Sequence, residues 1–212
     1  MESRALGRLI LHQPGNLSVP PVSCVRRKSG ENVSMRLAAL AIIPAILTDA
    51  CSPMRPSDFA SDKPAFNPIR FFTGKTSSNG VRENRRGQPV AQVFTSTSGK
   101  MADGVLHLEQ DLRFVSSGET KTSHRSWQLR QTGPHTYEGT ANDIIGTASG
   151  EAYGNAFHWS FPLALSPGNP LTTIRMSQWM YLQPGGETML NHTTISKAGI
   201  VVSQVTETFA RQ

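Results

Sequence analysis

The sequence is poor in cysteine. Of its 212 residues only Cys24 and Cys51 carry a thiol, and none follows Cys51. That excludes an internal disulfide and a thiolate metal centre from the longer, C-terminal part of the chain. Histidine shows no ligand pattern either. His12, His107, His124, His135, His158 and His192 never stand two or four residues apart, so no metal and no cofactor is expected. There is no Gly-x-Ser-x-Gly elbow and no glycine-rich loop opening a helix, and no catalytic residue is assigned. Long apolar runs are missing as well. The run Leu37–Leu47 has eleven residues and contains Pro44, whereas a membrane-spanning helix needs about 20.

A concentrated basic surface is also absent. The net charge is +6, but residues 1–34 contribute five basic and two acidic residues, and those after Cys51 contribute 15 and 12. Apart from a cluster at Arg82, Arg85 and Arg86 the charges are mixed. No nucleic-acid partner is therefore expected.

What is present begins with an export pattern. Residues 1–34 lack periodicity and are rich in Pro, Ser, Gly and Arg, which predicts disorder or a translation start at Met35. From Met35, Arg36 supplies a positive n-region, Leu37–Leu47 an apolar h-region, and small Ala50 precedes Cys51. Residues 35–50 read as a lipoprotein-type signal peptide, with Cys51 as the lipid-anchor residue. Thr48 and Asp49 depart from the usual lipobox. The localisation expected is the bacterial cell envelope, with a membrane as partner through acyl chains and the protein facing the periplasm. Residues 51–68, rich in Pro, Ser and Asp, read as the anchor and a tether.

Residues 69–212 read as one β-domain. Alternation is clearest in Val105–Val115, where Leu106, Leu108, Leu112 and Phe114 share a face. In Asn142–Leu165, Gly146, Gly150 and Gly154 precede Phe157, Trp159, Phe161, Leu163 and Leu165 at intervals of two. Further strands are expected at Val90–Thr97, Ser123–Arg130, Tyr137–Ala141, Leu171–Leu182, Thr188–Lys197 and Ile200–Phe209. About nine or ten strands, regular turn signals and no convincing helix predict an all-β fold, a single antiparallel up-and-down barrel.

Phe71 to the C-terminus resembles a bacterial lipoprotein family called domain of unknown function 3833. The resemblance is carried by Arg125-x-Trp127, Asn142-Asp143 with Gly146, Ala148 and Gly150, Gly154-Asn155-Ala156, Trp159, Trp179-Met180, Asn191 and Lys197-x-Gly199. The chain departs from it at Ser177-Gln178, Ala198 and Ser78. It implies a lipocalin-like (calycin) barrel and no established activity.

The candidate ligand-binding residues are Arg125, Trp127, Asn142, Asp143, Asn155, Trp159, Trp179, Asn191, His192 and Lys197. Arg125 or Lys197 is a candidate anchor for an acidic lipid head, with the three tryptophans lining the tail. The plainer alternatives are that Arg125, Asn142, Asp143, Glu109 and Lys197 close the barrel through ion pairs and turn bonds, and that the tryptophans are core. His192 is read as hydrogen-bonded rather than haem-ligating. The leading expectation is a barrel that binds or carries a lipophilic small molecule. An interaction protein with a filled core, or an enzyme with an inward acid or base such as Asp143 or His192, stand behind it; protein partners are not indicated.

Overall fold

A computed structural model describes residues 53–166 and 172–212. The signal segment, Cys51 and residues 167–171 lie outside the described residues. A 3-10 turn at Pro56–Phe59 and a short helix α1 (Pro68–Phe72) precede the strands. These are β1 (Gly74–Asn84), β2 (Pro89–Ala102), β3 (Val105–Ser116), β4 (Glu119–Gln131) and β5 (Thr136–Ala141). They continue as β6 (Ala148–Tyr153), β7 (Ala156–Ala164), β8 (Thr173–Leu182), β9 (Thr188–Lys197) and β10 (Ile200–Arg211).

Each strand pairs antiparallel with the next, and β10 pairs with β1, so the ten strands close a barrel without a free edge. Closure runs from Thr76 opposite Arg211 to Asn84 opposite Ser203. Three hairpins turn on Asp103-Gly104, Ser117-Gly118 and Ala198-Gly199, where both residues take positive φ. That is the turn geometry whose twist matches paired strands.

Alternation sends one face of each strand inward, and the inside is chemically divided. The arc from β4 to β8 supplies Trp127, Leu129, Tyr137, Phe157, Trp159, Phe161 and Met180, all buried. Trp127 meets Phe161 edge-on at 5.1 Å between ring centroids. Gly150 makes room for Trp159, because a Cβ there would strike its ring and that of Phe157. The opposite arc, β1, β2, β9 and β10, supplies buried Thr76, Ser78, Thr95, Thr97, Asn191, Thr193 and Glu207.

One end of the barrel is plugged. Asn67 caps α1 by accepting from the Arg70 N–H at 2.9 Å, and Pro68 follows at the position that needs no donor. The helix buries Phe71 and Phe72, and Phe66 packs edge-on to Phe71 and Phe157. Two expectations change here. The stretch read as a tether packs on the barrel from Pro56 onward: Phe59 lies 5.8 Å from Trp179 and 5.6 Å from Tyr181. Gly154 accommodates this, since a Cβ would collide with the Phe59 carbonyl. The segment at Ile69 opens as a helix, because the Asn67-Pro68 cap and two adjacent phenylalanines fit a helical turn better than alternation.

Candidate functional site

The barrel interior holds two cavities. The one above the plug is small, 80 Å³, and is lined by Phe72, Leu108, Trp127, Leu129, Phe157 and Trp159 among others. At the other end lies a chamber of 710 Å³, with Leu112, Phe114, Leu163, Ile174, Met176 and Ile195 in its wall. Leu112, Arg125, Gln178 and Glu207 line both, so the two cavities meet at a polar waist.

Arg125 stands at this waist because β4 alternates: Ser123, Arg125 and Trp127 share the inward face. Its Nε and Nη2 donate to one oxygen, Oδ2 of Asp143, at 2.8 and 2.7 Å. The guanidinium also lies 5.7 Å from the ring centroids of Trp127 and Phe161. Asp143 belongs to the β5–β6 connection, which is stitched down on both sides. Asn142 Oδ1 accepts the Ser126 N–H at 2.9 Å, and the Asp143 carbonyl accepts the Ala164 N–H at 3.0 Å. The pair is largely buried, with side-chain exposures of 13% and 25%, so removing either partner would strand the other's charge. Asp143 Oδ1 is buried without a partner among the described residues.

Glu207 is the second inward carboxyl. Ser78 Oγ and Thr95 Oγ1 donate to its Oε1 at 2.8 and 3.2 Å, and Asn191 Nδ2 donates to Oε2 at 3.2 Å. No cation balances it among the described residues. Burial pushes its carboxyl above the ordinary carboxylate range, against the three hydrogen bonds that favour the ion. Gln110 and Gln178 complete the polar arc, bonded to Thr97 and Thr193. Arg82, from β1, is a further cation on the chamber wall.

Of the candidates named from sequence, Arg125, Trp127, Trp159 and Asn191 line the small cavity, and Arg125, Asn142 and Asp143 line the chamber. The other four lie elsewhere. Trp179 points outward and stacks on Tyr181 and His158. His192 is also on the outer face, 3.4 Å from Thr206 Oγ1. Asn155 forms the β6–β7 turn, where its carbonyl accepts the Leu182 N–H at 2.8 Å. Lys197 is exposed at the end of β9. Glu109 does not join the Arg125 pair, since β3 alternation sends it outside. Sequence reading missed Glu207 and Arg82. The signal for Glu207 was present: it shares parity with Val205 and Phe209 in β10.

Glu109 instead joins a surface group whose atoms stand in the order of a hydrolase triad. Ser126 Oγ lies 3.3 Å from His124 Nε2, and His124 Nδ1 lies 2.8 Å from Asp111 Oδ1. The chemistry runs the other way. Ser126 donates to Glu109 at 2.6 Å, and His124 is clasped between Asp111 and Glu109, which raise its pKa. Both ring nitrogens are held by carboxylates, and the Ser126 hydroxyl donates to Glu109 rather than to His124.

The closed meander and its one-ended chamber define the class, a small calycin-type β-barrel. The chain belongs to the family described as protein of unknown function (DUF3833), which matches residues 45–211. The resemblance drawn from Arg125-x-Trp127 through Lys197-x-Gly199 therefore holds for the family. No curated protein matches the chain. Among solved structures it is similar to the S-type phycobiliprotein lyase CPES from Guillardia theta. The TM-score is 0.52 and the identity 9%, covering 68% of this chain and 90% of that one. At such identity the likeness shows the fold alone.

Proposed function

We propose that this protein is a cell-envelope lipoprotein whose barrel binds a lipophilic small molecule in its open chamber. The observation that supports this is the 710 Å³ space, whose wall is more apolar than polar, with Arg82, Arg125, Asp143, Gln178 and Glu207 among its polar groups. Pockets for small ligands typically occupy about 300–1,000 Å³ with that composition. A barrel serving only as a rigid interaction surface would be expected to pack its interior to core density. The fold shared with a phycobiliprotein lyase is compatible with a small lipophilic ligand. The anchoring part of the reading rests on Arg36, Leu37–Leu47, Ala50 and Cys51.

Native mass spectrometry of the full chain, purified from the membranes of its own host, tests the binding reading. A stoichiometric lipophile is expected, recoverable by organic extraction. A bare protein mass, together with no uptake of a neutral apolar fluorophore, overturns it. The anchor is tested separately by the mass of the mature N-terminus, expected to carry acyl chains on Cys51 and to lose them in Cys51→Ser.

A further inference from the structure

Arg82 is half-buried in the chamber wall and has no ion-pair partner among the described residues. It follows Thr76, Ser78 and Gly80 on the inward face of β1, with Val205 and Ala91 beside it on the neighbouring strands. Its side chain lines the chamber, and its Nε is fully buried with no hydrogen-bond acceptor among the described residues. No carboxylate there comes within 4.0 Å of it. A buried donor left unpaired is unfavourable, more so when it carries charge, and a guanidinium is charged at any physiological pH.

The other charged groups of the chamber do not supply the missing anion. Arg125 and Asp143 neutralise each other. Glu207 is held by Ser78, Thr95 and Asn191, and no arginine among the described residues comes within 4.0 Å of it. Arg82 is therefore the cation lining the chamber that, among the described residues, has no anion in contact, and it shares the wall with apolar side chains as well as Ser123, Asn142, Gln178 and Thr193. That wall includes Leu112, Phe114, Leu163, Ile174 and Met176.

We infer that Arg82 is the head-group site of this chamber, and that the ligand is a single-chain amphiphile with an anionic head, a fatty carboxylate or an alkyl phosphate. The inference rests on the lipophile-binding reading above. The guanidinium lines the chamber, and its charge and terminal N–H groups suit the oxygens of such a head. The acyl chain lies across the chamber against the aliphatic wall. A neutral lipid of equal length would leave the guanidinium without a counter-ion and so binds more weakly.

The test compares palmitate, hexadecyl phosphate and hexadecanol by competition native mass spectrometry, using the full chain released from zwitterionic nanodiscs. The wild type is expected to prefer at least one of the two anions over the alcohol by about tenfold or more, the scale of one charge-assisted hydrogen bond. Arg82→Gln is expected to lose that preference while holding hexadecanol as before, and Arg82→Lys to keep part of it. The ratio of palmitate to hexadecyl phosphate tells a carboxylate site from a phosphate site. An anion preference that survives in Arg82→Gln, or is absent from the wild type, overturns the head-group assignment and leaves lipophile binding standing. If none of the three binds, both readings fall together. A melting temperature for Arg82→Gln equal to or above wild type establishes that the variant is folded.

Discussion

At Glu207 burial and hydrogen bonding pull in opposite directions, and burial wins. The folded carboxyl is raised above its ordinary value of 4.5, so the folded state holds its proton more tightly than the unfolded chain does. The stabilisation from this group is complete below the unfolded value. It is lost as pH rises from there through the raised folded value. Glu207→Gln keeps the shape and removes the titration. Its amide can donate to Ser78 or Thr95, whose hydroxyls reorient to accept. The variant is expected to melt higher than wild type at neutral pH, with the gap closing on acidification towards 4.5. Parallel melting curves across the pH series would count against a buried carboxyl here. His124 is shifted in the same direction for a different reason, because its partners are anions on an open surface. Its hydrogen bonds to Asp111 and Glu109 raise its pKa above 6.5. A proton-NMR titration should show this, and Asp111→Asn should bring the midpoint back towards that value. An unshifted midpoint in the wild type would dissolve the surface cluster.

At the scale of elements, the segment before the barrel acts as a strap and a stopper. Phe66, 5% exposed, closes the base against Phe71 and Phe157, whereas Phe59 lies on the outer wall beside Trp179. Phe66→Ala should therefore cost about 3–5 kcal/mol, in the range for deleting a core aromatic. Phe59→Ala should cost clearly less. Chemical denaturation of the two variants decides this, and equal losses would show that the strap is not layered as described. None of it was legible in composition. Phe59 and Phe66 are isolated aromatics in a run of Pro, Ser and Asp, and their burial depends on contacts with strands far along the chain, at Phe157, Trp179 and Tyr181. The strands were legible wherever one face is apolar, as in β3 and β7. β1 was harder, since its inward residues Thr76, Ser78, Gly80 and Arg82 are all polar or glycine, and that concealed Arg82. Trp179 and His192 show the reverse error. Their parity is opposite to Met176 and Met180 in β8 and to Asn191 and Thr193 in β9, so alternation already placed them outside.

For the whole molecule, the distribution of packing around the barrel axis gives the fold a direction. The plugged end is dense with phenylalanine and leaves only 80 Å³; the far end leaves 710 Å³. A ten-stranded ring encloses more space than its own side chains fill, as barrel diameter grows with strand number. The stopper takes up that excess at one end only. Exposed Ile145 and Leu165 belong to connections at the far end of the barrel, where exposed Ile200 begins β10. If this space is the binding site, filling it should abolish uptake without harming the fold. Met176 lines the chamber but not the lower cavity, so Met176→Trp adds bulk where room exists. Binding of a neutral apolar fluorophore is expected to weaken by about tenfold, equivalent to roughly 1.4 kcal/mol, with no fall in melting temperature. Thr194→Trp, on the outward face of β9, is the control and should bind as wild type does. Equal binding by all three proteins would move the ligand out of the chamber and onto the barrel surface.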